Sequence, residues 1–433
     1  MKKVFILSYY FPPANVTASE RIASFARYLQ NGSYYPVVIT RNWDYPIKNS
    51  TSDVYRSSGT EIRIEKKEGY EVHYLPYRAS LKDHLFIRLE GTPFYFIYLI
   101  AAFIFSVTNL MALRFSSYGF LYRYLVQQFK NEKEPIRLVV SAMPFELFGI
   151  AWLLQKKFPL KWIADYRDDW SSSSLYGKNL VRKIQHRVFA FFEKKWLKSA
   201  SLFLSVSEHY VDKIARVIHR PGKVLFNGFL PENYPPAVEA SSVFTLCYVG
   251  SVYPSQPIEK LIEGILLFIR SYPKAPPVKV CFIGIGKEPK IIARIQQYIS
   301  GYESYFEFTD RLPKKEAIHV QMRSHALLIC AHGSLKGIPG SKLYEYIAIK
   351  KPVIVYPTDG DIIETSLRFT RQGLFCRDAE EMKSHLQTLY GLFLEHKPFS
   401  GVDEQAVASF TREEQCKVLI TALDQIDAGA IVT

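Results

Sequence analysis

The chain has 433 residues, which is long enough for two domains of about 200 residues, each with a full apolar core. Hydrophobic residues make up 48% and aromatic residues 15% of the sequence, which excludes a disordered or fibrous protein. The 55 lysine and arginine residues exceed the 41 aspartate and glutamate residues, and the net charge of +14 favours anionic partners such as nucleotide phosphates, lipid headgroups or nucleic acid.

The N-terminal half begins with strand and helix signals in alternation. A strand is predicted over 4–10, and after the turn at Pro12 and Pro13 a capping box at Thr17 and Glu20 should open a helix. Further β-rich runs lie at 35–40, 137–142, 161–165 and 201–207, with a helical run at 145–157. Because strands that alternate with helices form parallel sheets, a parallel sheet is predicted.

An apolar segment interrupts this half of the chain. No charged residue occurs at the 22 positions from Thr92 to Leu113, a length that can span a bilayer. Polar residues break the run, both flanks are basic, and later strands of the same domain follow it, so a full crossing would divide one sheet between two sides of a membrane. The segment is therefore predicted to be a membrane-associating helix or hairpin that enters one leaflet, with a buried core helix as the alternative.

A basic amphipathic helix is predicted over 178–198. Its lysine, arginine and histidine side chains fall mostly on one side and its apolar side chains on the other. Such a helix is typical of proteins that bind anionic membrane surfaces, and it is equally compatible with a solvated face over a core stripe.

The second half repeats the alternation of strands and helices. Strands are predicted at 244–250, 278–284, 326–331 and 352–356, and helices at 257–269, 287–299 and 341–349. A turn-rich and proline-rich stretch at 227–236 is the best candidate for a linker. The α/β chain should therefore form two Rossmann-like, doubly wound parallel-sheet domains that face a cleft, over 1–232 and 240–410, with a helix at 411–433 that returns to the N-terminal domain. Ligands of such sheets bind beyond the C-terminal ends of the strands.

The segment from Gly333 to Ala348 follows a strand and opens a helix. Free backbone N–H groups after Gly340, a Ser341 N-cap and the ammonium group of Lys342 could all face a diphosphate. On the same helical face, the carboxylate of Glu345 could accept both hydroxyls of a ribose. The alternative is an ordinary helix start with a surface pair of Lys342 and Glu345.

Six short runs occur along the chain, namely SYYFPP at 8–13, ADYRDDW at 164–170, VSE at 206–208, FNG at 226–228, YVGS at 248–251 and GSKLYEYIAIKKPVI at 340–354. In order and spacing they resemble the motifs of family 4 glycosyltransferases, a retaining family with the GT-B fold, and the last run resembles the family's donor-binding signature. The resemblance spans nearly the whole chain. It implies an enzyme that takes a sugar from a nucleotide diphosphate donor.

The resemblance also implies roles for single residues in the second half. Glu345 would hold the donor ribose, and the loop at Gly250 and Ser251 would lie against the diphosphate. The sequence departs from the family pattern at two points. The first acid of the family's Glu-x7-Glu pair is replaced by Gly337, so an acidic contact to the donor sugar is missing or comes from elsewhere.

The second departure concerns positive charge near the diphosphate. Ser251 and Gln256 stand where many family members place an arginine and a lysine, so both are assigned to the donor site and Lys342 becomes the leading candidate for phosphate charge. Some polysaccharide-assembling branches share this altered pattern.

A cluster of charged side chains at the end of a predicted strand is assigned to the acceptor. Asp165, Arg167, Asp168 and Asp169 would bind or deprotonate an acceptor hydroxyl, with Asp165 as the catalytic candidate. The alternative is an ion-pair network that fixes the loop. Pro13 is assigned to the acceptor side from the family's opening loop.

The functional prediction is transfer of a sugar from a UDP- or GDP-linked donor to a lipid-linked or saccharide acceptor in capsule, O-antigen or exopolysaccharide biosynthesis. No cofactor, metal or nucleic acid is expected. The protein should lie at the cytoplasmic face of the inner membrane, on an anionic lipid surface, as a peripheral or monotopic protein. A GT-B nucleotide-sugar epimerase and a non-catalytic basic nucleotide- or nucleic-acid-binding protein are the alternatives.

Overall fold

A computed structural model of the chain describes residues 1–44, 54–173, 180–236, 238–272, 277–333 and 335–430. The chain divides into two compact units. Unit 1 consists of Met1–Phe226 and Arg412–Thr433, and unit 2 of Asn227–Thr411. The first two positions of the predicted basic helix, 178 and 179, lie outside the described residues, as does the side chain of Ser341.

Unit 1 is built on an eight-stranded sheet. Its strands are β1 (Lys2–Ser8), β2 (Tyr34–Arg41), β3 (Arg63–Lys67), β4 (Tyr70–Leu75), β5 (Ile136–Ala142), β6 (Leu160–Tyr166), β7 (Leu202–Ser205) and β8 (Gly222–Val224). They lie in the order β3-β4-β2-β1-β5-β6-β7-β8, and every pair is parallel except β3 with β4. The antiparallel β3 is charged and mostly exposed, which suits a sheet edge.

Helices cover both faces of this sheet. They are α1 (Thr17–Tyr28), α2 (Leu81–Leu89), α3 (Tyr95–Met111), α4 (Gly119–Lys130), α5 (Glu146–Gln155), α6 (Leu180–Leu197), α7 (Glu208–Ile218) and α15 (Arg412–Asp427). The apolar sides of α1 and α15 share one core cluster with β1, β2 and β4. On α4 and α5, the rings of Phe129 and Phe148 contact Phe5 and Trp162 of the sheet.

The helix α15 belongs to unit 1 although unit 2 precedes it in the chain. Cys416, Leu419 and Leu423 are almost fully buried in the unit 1 core. The last residue of the helix, Asp427, accepts hydrogen bonds from Lys2 at 2.9 Å and Arg137 at 2.7 Å. These cations lie at the negative end of the helix dipole and add to the apolar contacts that hold the helix in place.

The capping box predicted at the start of α1 is not formed. Val16 stands at the cap position, and no described side chain makes a cap hydrogen bond there. Thr17 is therefore already inside the first turn. Glu20 instead pairs with Arg412 of α15 at 3.0 Å.

The apolar segment at 92–113 forms α3. In this helix, which is described throughout, Tyr98, Asn109 and Leu110 are the buried residues among 17. The alternative of a buried core helix is therefore wrong. Among the helices within the described ranges, none combines the length and the apolar character needed to cross a membrane.

Unit 2 contains a six-stranded sheet in which all pairs are parallel. Its strands are β9 (Phe244–Val249), β10 (Val278–Ile283), β11 (Phe306–Thr309), β12 (Ala326–Ile329), β13 (Val353–Val355) and β14 (Gly373–Phe375). Its helices are α8 (Ile258–Arg270), α9 (Pro289–Gln296), α10 (Lys314–Arg323), α11 (Gly340–Ile349), α12 (Ile362–Phe369), α13 (Ala379–Leu394) and α14 (Glu404–Ser409). The prediction of two parallel-sheet α/β domains is confirmed.

The strand order of unit 2 locates its ligand-binding edge. The sheet runs β11-β10-β9-β12-β13-β14, so the direction of winding reverses between β9 and β12. In doubly wound sheets, loops that leave the carboxyl ends of the strands on either side of such a reversal form a ligand crevice. The loops after β9 and β12 carry the residues predicted from the sequence to bind the donor.

Candidate functional site

The loop after β9 is shaped by Gly250. This residue has a φ of +90°, a conformation that glycine adopts at little cost, and its N–H donates to the carbonyl of Ile283 at 2.6 Å. A Cβ atom at Gly250 would lie 2.5 Å from Cε and 2.9 Å from Nζ of Lys342. Backbone geometry therefore requires glycine here, and a side chain at this position would displace the end of Lys342. The structure brings together two predicted donor residues that are 92 positions apart in the chain.

The ammonium group of Lys342 lies in a partly enclosed setting. Its Nζ is 4.3 Å from the centroid of the Tyr248 ring and 3.5 Å from the carbonyl oxygen of Ser251. Burial lowers the pKa of Lys342 from its usual 10.5 to about 8, and the charge of Glu345 opposes part of that shift. A cation whose own burial is unfavourable gains from an added anion, so this site favours a phosphate group.

The start of α11 differs from the prediction. The helix begins at Gly340, with Pro339 at the cap position, and among the described residues no side chain caps it. Ser341 is therefore in the first turn and is not the N-cap. Gly340 has a φ of +62°, and the backbone N–H groups of the first turn lie at the positive end of the helix dipole.

Glu345 is one turn along α11 from Lys342 and is partly exposed. The two residues are close enough for the carboxylate to raise the pKa of Lys342. On the loop before α11, the Gly337 N–H donates to Oδ2 of Asp361 at 2.5 Å. The carboxylate of Asp361 thus contacts the backbone of Gly337, the residue that replaces the first glutamate of the Glu-x7-Glu pattern.

The side chain of Gln256 is hydrogen-bonded within the protein at both ends of its amide. Its Nε2 donates to the carbonyl of Cys330 at 2.6 Å, and its Oε1 accepts from the Tyr253 N–H at 2.8 Å. Both ends of the buried amide are therefore engaged by the protein, and they tie the loop after β9 to the end of β12. The assignment of Gln256 to direct donor contact is not supported by this geometry.

Two residues near the donor loops were not assigned from the sequence. His332 follows β12, its Nδ1 lies 2.8 Å from Oγ of Ser255, and its ring is 5.5 Å from that of Tyr253. Burial and the nearby charge of Lys342 lower the pKa of His332. The exposed ring of Tyr253 lies beside the same loops, and its position depends on tertiary contacts that no local motif signals.

In unit 1, Asp165 is at the carboxyl end of β6 but is fully buried. Its carboxylate accepts hydrogen bonds from Arg21, the closest at 2.7 Å, and from Oγ of Ser141 at 2.7 Å. Arg21 is 2% exposed and also donates to the carbonyls of Leu225 and Phe226. This buried ion pair joins β6, α1 and the chain that leaves unit 1, so the geometry does not support Asp165 as a catalytic residue.

The other members of the charged cluster divide into two groups. Asp169 is buried and pairs with Nζ of Lys213 at 2.6 Å, so it fixes the loop after β6. Arg167 and Asp168 lie at the carboxyl end of β6, and Nε of Arg167 donates to the carbonyl of Ala142 at 2.8 Å. Burial lowers the pKa of Arg167, while the Asp168 carboxylate opposes that shift.

The residues assigned to the acceptor side follow the carboxyl ends of strands β1 and β6 in the unit 1 sheet. Tyr10 is close enough to Arg167 to influence its pKa. Pro13 is exposed in the same turn after β1, which Tyr74 fixes by donating its hydroxyl to the carbonyl of Pro12 at 3.0 Å. Within the described ranges, no group of three or more histidine, cysteine, aspartate or glutamate side chains is arranged to hold a metal ion.

Unit 2 has a doubly wound α/β fold, with a poorly solvated lysine and a helix N-terminus at the ligand-binding edge of its sheet, which suits an anionic ligand. Residues 243–391 match the family described as Glycosyl transferases group 1. The matched segment runs from β9 into α13 and contains Gly250, Lys342 and Glu345. This part of the chain is therefore a glycosyltransferase group 1 domain, and the chain is a glycosyltransferase.

Solved structures with the GT-B fold are similar to the chain over its full length. A sucrose-phosphate synthase from Thermosynechococcus elongatus is 13% identical with a TM-score of 0.67, covering 99% of this chain and 100% of that one. A UDP-forming α,α-trehalose-phosphate synthase from Burkholderia vietnamiensis is 9% identical with a TM-score of 0.63 and the same coverage. A glycosyltransferase from Rickettsia africae is 11% identical with a TM-score of 0.59, covering 98% of both chains. At these identities the likeness shows the fold alone, and no curated protein sequence matches the chain.

Proposed function

We propose that the protein transfers a sugar, with retention of configuration, from a nucleoside diphosphate sugar to a lipid-linked saccharide at the cytoplasmic face of a bacterial inner membrane. The product would enter capsule, O-antigen or exopolysaccharide assembly. The observation that carries the donor half of this proposal is the approach of the Lys342 ammonium group to Gly250, where the winding of the unit 2 sheet reverses. A diphosphate there would neutralise the poorly solvated cation and accept from backbone N–H groups.

Each donor residue then has a separate role. Lys342 and the first turn of α11 bind the diphosphate, and Glu345 accepts the ribose hydroxyls. Asp361, which already reaches the Gly337 N–H, supplies the acidic group near the donor sugar. In a retaining transfer the leaving phosphate can take the acceptor proton, so the chemistry does not need Asp165 as a base.

The acceptor half of the proposal is supported by two features of unit 1. The guanidinium group of Arg167 at the carboxyl end of β6 suits a phosphate-bearing acceptor. The exposed apolar face of α3 suits an acceptor that is carried in a membrane. Because sucrose-phosphate and trehalose-phosphate synthases have similar folds, a soluble sugar phosphate is the competing acceptor class.

The experiment measures the release of the nucleoside diphosphate and the fate of the transferred sugar. Purified protein is incubated with UDP- and GDP-linked sugars labelled in the sugar, with bacterial membranes, with soluble sugar phosphates, or with neither. We expect nucleoside diphosphate release that depends on membranes, and label in the fraction extracted by organic solvent. Label in a soluble phosphate would assign the competing acceptor, a converted nucleotide sugar would indicate an epimerase, and no nucleotide binding would refute the enzymatic proposal.

The affinity for a nucleoside diphosphate should fall as the pH rises through about 8. The pKa of Lys342 is lowered to about 8 in the free protein, so its ammonium form is complete below that pH and is lost above it. Since a bound diphosphate raises this pKa again, binding should weaken about tenfold between pH 7 and pH 9. The pKa of His332 is shifted downward, which keeps its titration below this window.

Isothermal titration of UDP and GDP across this pH range measures the effect. Lys342→Met should bind weakly at every pH, and Lys397→Met, at an exposed lysine that follows α13, should behave like the unmodified protein. Equal affinity at pH 7 and pH 9 for the unmodified protein would refute phosphate binding by Lys342.

A further inference from the structure

The outer face of α3 is mostly apolar, and Thr108 is the exposed polar residue within it. Its large side chains recur at helical spacing and are exposed by 40–73%, namely Phe96, Ile97, Leu99, Ile100, Phe103, Ile104 and Met111. Phe94 before the helix and Phe115 after it are exposed by 59% and 90%. A contiguous surface of this kind marks an interaction site, whereas single exposed apolar residues are ordinary.

The opposite side of α3 packs firmly against unit 1. The exposure of this apolar stripe is therefore not the result of a detached helix. The ring of Tyr98 lies 5.0 Å from Phe86 of α2, and Leu110 is 3% exposed. The side chain of Asn109 hydrogen-bonds Glu146 at the start of α5. Unit 1 therefore holds the helix in an orientation that presents its apolar side outward.

The outer face of α6 is basic. Within the described part of the helix, four charged side chains are exposed and all are cations, namely Lys183, Arg187, Lys194 and Lys195. The acidic side chain of the helix, Glu193, is fully buried and does not reduce this surface charge. Ile184 and Phe191 stand between these cations and are exposed by 50% and 60%. Two large apolar side chains thus lie among the cations on one exposed face of α6, so this face can contact lipid phosphates and the apolar part of the headgroup region together.

The helix α5 connects the apolar and the basic surfaces. A Cβ atom at Gly149 of α5 would lie 2.6 Å from Cδ1 of Leu113 and 2.9 Å from Cζ2 of Trp196, so residues from the ends of α3 and α6 meet across this glycine. On the same helix, the Trp152 ring lies 3.8 Å from Nζ of Lys156 and 5.2 Å from Nζ of Lys195. The three helices form one layer on one face of the unit 1 sheet.

We propose that this layer docks unit 1 on an anionic lipid leaflet. The leaflet-docking surface consists of the α3 stripe, the basic face of α6 and Trp152 with its lysines. The apolar stripe enters the boundary between headgroups and acyl chains to a depth of about 5–10 Å, and the lysine and arginine side chains contact lipid phosphates. The helix lies in the plane of the membrane, because its apolar stripe runs along one side while the other side packs against unit 1. Its 17 residues span about 25 Å, which is less than the thickness of about 30 Å of a bilayer core.

Charge and polarity select this partner over the others. A second copy of the chain would bring two basic α6 faces together, which is unfavourable, and nucleic acid offers no apolar surface for the α3 stripe. An anionic leaflet matches both parts at once. The proposal does not depend on the nucleotide-sugar chemistry of unit 2.

Vesicle flotation of the full chain tests the proposal. Vesicles of neutral phosphatidylcholine are compared with vesicles that also contain phosphatidylglycerol. We expect binding that needs the anionic lipid and weakens with salt. Lys194→Gln combined with Lys195→Gln should weaken binding to anionic vesicles about 30-fold, and Ile100→Glu combined with Phe103→Glu should abolish it.

Matched controls keep the interpretation specific. Leu394→Glu changes an equally exposed apolar residue of unit 2, 58% against 57% for Ile100, and should bind vesicles normally. All variants should retain thermal stabilisation by UDP or GDP, which separates docking from donor binding and reports folding. Normal flotation of the α3 variant would overturn the proposal, as would a lipid-free dimer that the α3 variant dissociates.

Discussion

Glu345→Ala is expected to weaken binding of the nucleoside diphosphate sugar by about 10- to 100-fold, because a carboxylate that accepts two hydroxyl hydrogen bonds contributes about 1.5–3 kcal/mol. The side chain is partly exposed and alanine favours helices, so the melting temperature should not fall. The same change removes the charge that raises the pKa of Lys342, so the loss of affinity at alkaline pH should shift to lower pH.

Two variants provide the comparison for Glu345. Glu345→Gln retains hydrogen-bonding atoms without the charge and should show an intermediate affinity. Glu316→Ala removes an exposed glutamate from the first turn of α10 and should have no effect. If Glu345→Ala binds and transfers the donor normally, Glu345 does not contact the ribose.

Asp165→Ala is expected to destabilise unit 1 by about 3–5 kcal/mol, because it leaves the buried guanidinium group of Arg21 without its counter-charge. For a domain of this size that corresponds to a fall of about 10 °C in the melting temperature, measured by scanning calorimetry. The combined Arg21→Met and Asp165→Leu variant should recover part of the loss, because both buried charges are then removed.

The Asp165 variants also test the catalytic role that the sequence favoured. Asp165→Asn keeps the shape of the side chain and can still bond to Ser141. We expect its loss of transfer activity to follow its loss of folded protein. An unchanged melting temperature together with abolished transfer would restore Asp165 as a catalytic residue.

Much of the architecture was predictable because it is encoded in local patterns. The apolar runs that became β1, β5 and β9 alternate with helical periods, and this alternation predicts parallel sheets. The pairing of Gly250 with Lys342 was also within reach, since both follow strands at the point where ligands bind. The cap residues predicted for α1 and α11 are displaced by one and two positions from the observed ones, at helix ends where local signals are weakest.

Long-range contacts could not be predicted in the same way. Arg21 and Asp165 are 144 positions apart, so no spacing rule pairs them. The sequence therefore showed an accessible acidic cluster where the structure has a buried ion pair. The β3 strand was missed because its RIEKK sequence has four charged residues around a single isoleucine and so lacks an apolar alternation, and its pairing at the sheet edge is a tertiary effect.

The position of α15 has a consequence for how the chain matures on the ribosome. All of unit 2 is translated before the helix that completes the unit 1 core, so Ile22 and Phe25 of α1 lack their α15 partners until α15 has been synthesised. Unit 2 can fold as an uninterrupted segment, whereas unit 1 must wait with an open apolar surface. A nascent chain stalled just before Arg412 should therefore recruit chaperones and be cleaved by proteases within unit 1.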